Sequence, residues 1–266
     1  MVWVILVTLA IGNLAFVALT RELSDAVRGY LGFSAFISAI LAGLAVLVDT
    51  GLPPPSAELV IRTSEPTVTA ARQLALAAFA LLSLAYVIAL RGRFPVLATA
   101  VAALAAGSMV LAAAAFGWAP TAADAVPLLV QLGVLSAVTG GALAAIVLGH
   151  WYLVTPKLSE QPLVLQSRWL LAGIGLQLLL FVVWTTLGGG PGQDAFEAFT
   201  VGTILLVALR LMVSLVFPLV LTYMALRTAR TRSMESATGL LYINLAAVMA
   251  GTIGAAALYV SSGILV

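Results

Sequence analysis

The sequence predicts an all-α polytopic membrane protein, a bundle of about eight transmembrane helices. Three observations carry this. Of 266 residues, 63% are hydrophobic and 8% charged, against about 25% charged in a soluble domain, and the mean hydropathy is +1.17. Eight stretches approach or exceed the ~20 apolar residues that a helix needs to cross a bilayer. None shows the alternation of apolar and polar residues over ~10 positions that marks a transmembrane strand.

The elements follow in order. Val2–Thr20 runs up to Arg21, and Gly29–Val48 lies between Arg28 and Asp49. Gln73–Leu90 is bounded by Arg72 and Arg91, and Phe94–Trp118 by Arg93 and Pro120. Val126–Val154, the longest, starts after Asp124 and stops before Pro156. Leu163–Leu187 lies between Pro162 and the run Gly188-Gly189-Gly190-Pro191-Gly192, which reads as a flexible turn. Phe199–Leu226 lies between Glu197 and Arg227, and Gly239–Ile264 follows Glu235. Charges mark the ends because they are costly at bilayer depth. The first stretch has no basic residues before it and no small-residue cleavage site, so it is expected to be a retained span and not a signal peptide. The connector from Asp49 to Arg72 is stiffened by Pro53-Pro54-Pro55.

The expected organisation is one membrane domain, 1–266, with a pseudo-repeat of 1–125 and 126–266 as two parallel four-helix halves. Tyr86-Val87-Ile88-Ala89-Leu90-Arg91-Gly92-Arg93 is echoed by Tyr223-Met224-Ala225-Leu226-Arg227-Thr228-Ala229-Arg230, and Leu23-Ser24-Asp25 by Leu158-Ser159-Glu160. Small residues at four-residue spacing (Gly141, Ala145, Gly149 and Ala247, Gly251, Ala255) predict close helix contacts for the fifth and eighth spans.

Lys and Arg set the orientation. Arg21, Arg28, Arg91, Arg93, Lys157, Arg227, Arg230 and Arg232 fall in the odd-numbered loops, and Arg62 and Arg72 in the second. The positive-inside rule then places the odd loops in the cytoplasm and both termini outside, in a multi-pass protein of the cell membrane. Trp3, Trp118 and Trp184 fall near the outer interface. Tyr30, Tyr86, Trp151, Trp169 and Tyr223 fall near the inner one, as aromatic belts do. The pI near 9.2 comes from 12 basic against 10 acidic residues and is a topology signal, not a nucleic-acid footprint.

Several chemistries are excluded. The chain has no cysteine, which removes disulfides, thiolate metal sites and covalent haem attachment, and its one histidine cannot supply paired haem ligands. No metal site is expected from this chain. Hydrolase, zinc-protease, phosphate-loop and dinucleotide motifs are missing. Asp124, Asp194 and Glu197 read as solvated loop charges.

The candidate site residues are the polar groups left at membrane depth. Arg210 precedes Arg227 by 17 residues, about 25 Å at 1.5 Å per residue. This places it near the middle of the bilayer, where an arginine costs at least ~2.5–3.5 kcal/mol. Gln177 falls at similar depth and is its expected hydrogen-bond partner. A second layer lies roughly 9–12 Å inside the cytoplasmic face, formed by Asn13, His150, Arg168 and Asn244. Trp151 and Tyr152 follow His150 directly, and Asn13 occupies the position of His150 in the first half of the pseudo-repeat. His, Asn and Tyr can hydrogen-bond quinone carbonyls while Trp flanks the ring; His can also ligate haem iron while Arg pairs a propionate.

The functional expectation is an integral membrane binding or accessory subunit holding a lipophilic ligand (quinone, haem or lipid-like) in the cytoplasmic leaflet. The alternative is a small-molecule transporter for organic anions, with Arg210 facing the substrate and Pro218 kinking the seventh span near it. Expected partners are membrane lipids, other membrane subunits or a second copy of the chain. A third reading, a membrane-embedded enzyme, has no obvious nucleophile or acid–base pair and would rest on His150 nearly alone. In outline the chain resembles haem-handling membrane enzymes such as haem A synthase, which also combine two four-helix halves, but their paired histidines are missing here.

Overall fold

The computed structural model describes residues 1–51, 60–61, 64–92, 95–155, 157–188 and 201–266, the last segment by backbone alone over 201–203. Prolines 53–55, Arg62, Arg93, Asp194, Glu197 and most of the glycine-rich run at 188–192 lie outside the described residues. All regular elements among the described residues are helical: α1 (Val2–Leu23), α2 (Arg28–Thr50), α3 (Pro66–Ala89), α4 (Val96–Trp118), α5 (Ala122–Val154), α6 (Gln161–Leu187), α7 (Val201–Leu211), a π-helical turn (Met212–Val216), α8 (Phe217–Arg230) and α9 (Met234–Ser262). With α7, the turn and α8 counted as one span, eight helices among these residues are long and apolar enough to cross a bilayer. The chain is a multi-pass membrane protein.

Local chemistry explains the ends. Pro66 and Pro162 occupy the first turns of α3 and α6, where a missing N–H costs nothing. Thr121 caps α5 by accepting from the Asp124 backbone N–H, and Asp124 sits at the positive end of the helix dipole. Gly263, at φ 71°, stops α9. The α3 helix begins at Pro66, earlier than the Gln73 that hydropathy marks, because Arg72 depresses the hydropathy of that turn without breaking it.

The seventh span is not a uniform α-helix. A proline ring clashes with the carbonyl four residues before it, here that of Ser214. The turn just ahead of Pro218 widens instead, and the Phe217 N–H donates to the Met212 carbonyl five residues back.

Helices α1 and α5 form the centre, with 67% and 72% of their apolar windows buried inside the protein. They cross at Gly12 and Gly140. A Cβ on Gly12 would lie 1.7 Å from the Ser136 carbonyl oxygen, and one on Gly140 would lie 2.1 Å from the Asn13 backbone nitrogen. Only glycine permits this backbone contact, and close packing is what holds helices together when lipid surrounds them. Around this pair, α1 packs on α2, α2 on α3 and α3 on α4, while α5 packs on α6 and α9, and α8 on α6 and α9. The small-residue stripes do face neighbours, Gly141 against Phe16, Gly149 against Thr238 and Gly251 against Ser214.

Arg21, Arg28, Arg91, Lys157, Arg227, Arg230 and Arg232 share one end of the bundle, termed here the basic end. Trp169 and Tyr223 are exposed there as a belt would be, but Tyr30 and Tyr86 are fully buried between helices.

Candidate functional site

At the basic end of α5, His150 and Trp151 line an open groove of about 510 Å³. Its other walls are Phe33 of α2, Leu143, Ile146, Val147 and Val154 of α5, Thr155, and Tyr242 and Leu245 of α9. The wall is almost entirely apolar. Trp151 is held by packing: its indole lies against Gly29, where a Cβ would come within 2.7 Å of the ring, and its centroid is 6.3 Å from that of Phe33. His150 is exposed, so its imidazole is free to meet a ligand at the rim. Thr155, Tyr242 and Trp151 are the other lining residues that carry a polar side-chain atom. An apolar cleft with a few convergent polar groups is the usual form of a small-molecule site.

The remaining sequence candidates lie elsewhere. Tyr152 points the other way: it is buried, and its hydroxyl donates to the Ser159 carbonyl across the α5–α6 turn. Arg168 is exposed on α6 and does not line the groove. Asn13 is fully used within the bundle. Its amide donates to the Ser34 carbonyl at 2.7 Å and the Ser38 hydroxyl at 2.8 Å, and its oxygen accepts from the Ser34 hydroxyl at 2.9 Å. Asn244 is buried in α9 with neither amide atom hydrogen-bonded.

Arg210 is 3% exposed and has no acidic partner among the described residues. Its Nε is buried without a hydrogen bond. The guanidinium is seated on Gly251, where a Cβ would come within 2.6 Å of Nη1 and 2.3 Å of the Ser214 Cβ. Nine residues separate Arg210 from Val201 at the start of α7 and 20 from Arg230 at the end of α8, about 14 and 30 Å along the axis. Gln177 is buried at comparable depth on α6, but no hydrogen bond joins the two among the described residues.

A third constellation was not among the sequence candidates. Arg72 of α3 and Asp49 of α2 form a buried ion pair at the end opposite the basic one, with Nη2 2.9 Å from Oδ1 and side chains 7% and 1% exposed. The Arg72 guanidinium carbon lies 5.3 Å from the Trp3 ring centroid and 5.8 Å from that of Trp118, and the two indoles meet edge to face at 5.2 Å. One cluster therefore ties together α1, α2, α3 and α4. Both Asp49 oxygens, Arg72 Nε and Trp3 Nε1 lack aligned hydrogen bonds, so the pair is close but not fully satisfied. It reads as a structural clamp.

Among the described residues no cluster of three or more His, Asp or Glu is placed to hold a metal ion. No family model matches the chain, and neither a curated protein nor a solved structure matches it.

Proposed function

We propose that this protein is a membrane binding or accessory subunit that holds a lipophilic ligand in the groove beside His150. The observation that carries the reading is the groove itself, apolar along its length, with the chain's one histidine at the rim and Phe33 and Trp151 as flat walls. A quinone-like ring suits it better than haem. Such a ring needs apolar faces and a hydrogen bond to a carbonyl, which Phe33, Trp151 and His150 provide. Haem needs in addition a partner for its propionates, and Arg168 is not in the groove wall.

Native mass spectrometry of protein purified from membranes, with extraction and identification of quinones, tests the proposal. A bound lipophile lost in His150→Ala and Trp151→Ala is expected. Full retention in both variants refutes the site. A Soret band that shifts on dithionite addition would replace quinone by haem as the ligand.

Arg210 favours a second reading, organic-anion transport. A buried guanidinium cannot shed its charge, and an uncompensated one in the membrane interior is costly, so an anionic substrate would complete its seat on Gly251 and Ser214. Uptake of organic anions into proteoliposomes should then fall at least tenfold in Arg210→Gln, and unchanged uptake removes this reading.

A further inference from the structure

A different groove, on the far side of Phe33, has the form of an amphiphile. Between α2 and α3 at the basic end lies a cavity of about 660 Å³ walled by Phe33, Phe36, Leu84, Val87 and Ile88, with Gly32 leaving it open toward Leu90. Arg28 and Arg91 stand at its mouth. They also wall a second cavity of about 400 Å³, whose other charged residues are Arg21 and Glu22. Arg21 pairs with Glu22, while Arg28 and Arg91 have no acidic partner among the described residues. A polar chamber with surplus positive charge thus shares Arg28, Leu90 and Arg91 as walls with an apolar channel that runs from Arg28 to Phe36, eight residues or about 12 Å along α2.

We infer that this composite groove is a binding site for an anionic phospholipid. Its phosphate would sit between Arg28 and Arg91, and one acyl chain would lie along Phe33, Phe36 and Ile88. Guanidinium groups match phosphate oxygens in bidentate fashion, and basic pockets between transmembrane helices are a recurrent way of holding acidic headgroups. A free phosphate would leave the apolar channel unused. A zwitterionic lipid would bring its choline cation, along with its phosphate, into a chamber that already carries surplus positive charge.

Native mass spectrometry of the protein in nanodiscs containing equal phosphatidylglycerol and phosphatidylcholine reads the site directly. Phosphatidylglycerol should remain bound after release from the disc, enriched at least fivefold over phosphatidylcholine. The double variant Arg28→Gln/Arg91→Gln should lose the enrichment. The double variant Arg227→Gln/Arg230→Gln removes the same charge at the same end away from the groove, and should keep it. Because the first variant could alter folding, Gly32→Phe serves as an independent probe: a Cβ there is 4.0 Å from its nearest neighbour, Leu90, so the ring can fill the channel with both arginines intact. It too should abolish retention. Equal retention of both lipids in the wild type, or enrichment that survives Gly32→Phe, overturns the inference. So does enrichment lost equally with Arg227→Gln/Arg230→Gln, which would mark a diffuse surface charge.

Discussion

Arg72 and Asp49 lie 2.9 Å apart at the meeting point of four helices, with two tryptophan rings against the guanidinium. The pair buries two charges that each become uncompensated if the other is removed. Breaking a buried pair this way costs about 3–5 kcal/mol. Asp49→Asn and Arg72→Gln should each lower the thermal unfolding midpoint in detergent strongly, and the combined variant should lose less than the sum of the two. Additive losses would show that the charges do not stabilise one another.

The same pair shows where sequence reading stops. The eight spans are legible because lipid demands ~20 apolar residues in a row, and His150 with Trp151 stands out because little else polar remains at that depth. Tyr152 looked like part of the same group because it is adjacent in sequence, yet successive helical residues point about 100° apart. Asp49 and Arg72 looked like loop charges because each ends its apolar run. A finer signal was present: Ala35, Ala42, Ala45 and Asp49 share a buried stripe on α2, as do Arg72, Leu76, Phe79, Ser83 and Tyr86 on α3. A buried stripe that runs into a charge at each of two neighbouring helix ends predicts a pair. The pairing of α2 with α3 in register is tertiary information that spacing does not contain.

Glycines at the α1–α5 crossing and glycines that face open space should respond in opposite ways. Gly140→Ala places a methyl 2.1 Å from the Asn13 backbone nitrogen, so the central helices must separate. It is expected to cost about 2 kcal/mol or more, within the range of overpacked cores. Gly133→Ala, also on α5, meets nothing within 4 Å and should be neutral or stabilise by roughly 0.5–1 kcal/mol through helix propensity. Similar midpoints for the two variants would contradict the crossing.

Pro218 should control where Arg210 points. The π turn contains one residue more than an α turn needs, so its loss would rotate α7 relative to α8 by about 100°. Pro218→Ala restores the N–H that allows a continuous α-helix and should swing Arg210 off Gly251. The chain has no cysteine, so spin labels at Leu206→Cys and Ile253→Cys, both exposed in the wild type, can report the distance. A distance distribution unchanged by Pro218→Ala would assign the wide turn to the packing of Arg210 on Gly251 and not to proline.

Asn13 and His150 occupy matching places in the proposed repeat, but their surroundings predict different phenotypes. Every polar atom of the Asn13 side chain accepts or donates within the α1–α2 interface. His150 is exposed at the groove. Asn13→Ala removes the shared partner of the Ser34 and Ser38 hydroxyls, and should cost about 0.6–1.7 kcal/mol, the range for interhelical hydrogen bonds in membranes. Because nothing of Asn13 faces the groove, retention of the lipophile proposed for it should match the wild type. His150→Ala should do the reverse, leaving the unfolding midpoint within about 0.5 kcal/mol of the wild type, as exposed positions usually do, while releasing the lipophile. Measured on the same samples, unfolding midpoint and bound lipophile should therefore separate the two residues completely. If Asn13→Ala releases the lipophile at an unchanged midpoint, the binding site extends into the α1–α2 interface and the groove beside His150 is only its entrance.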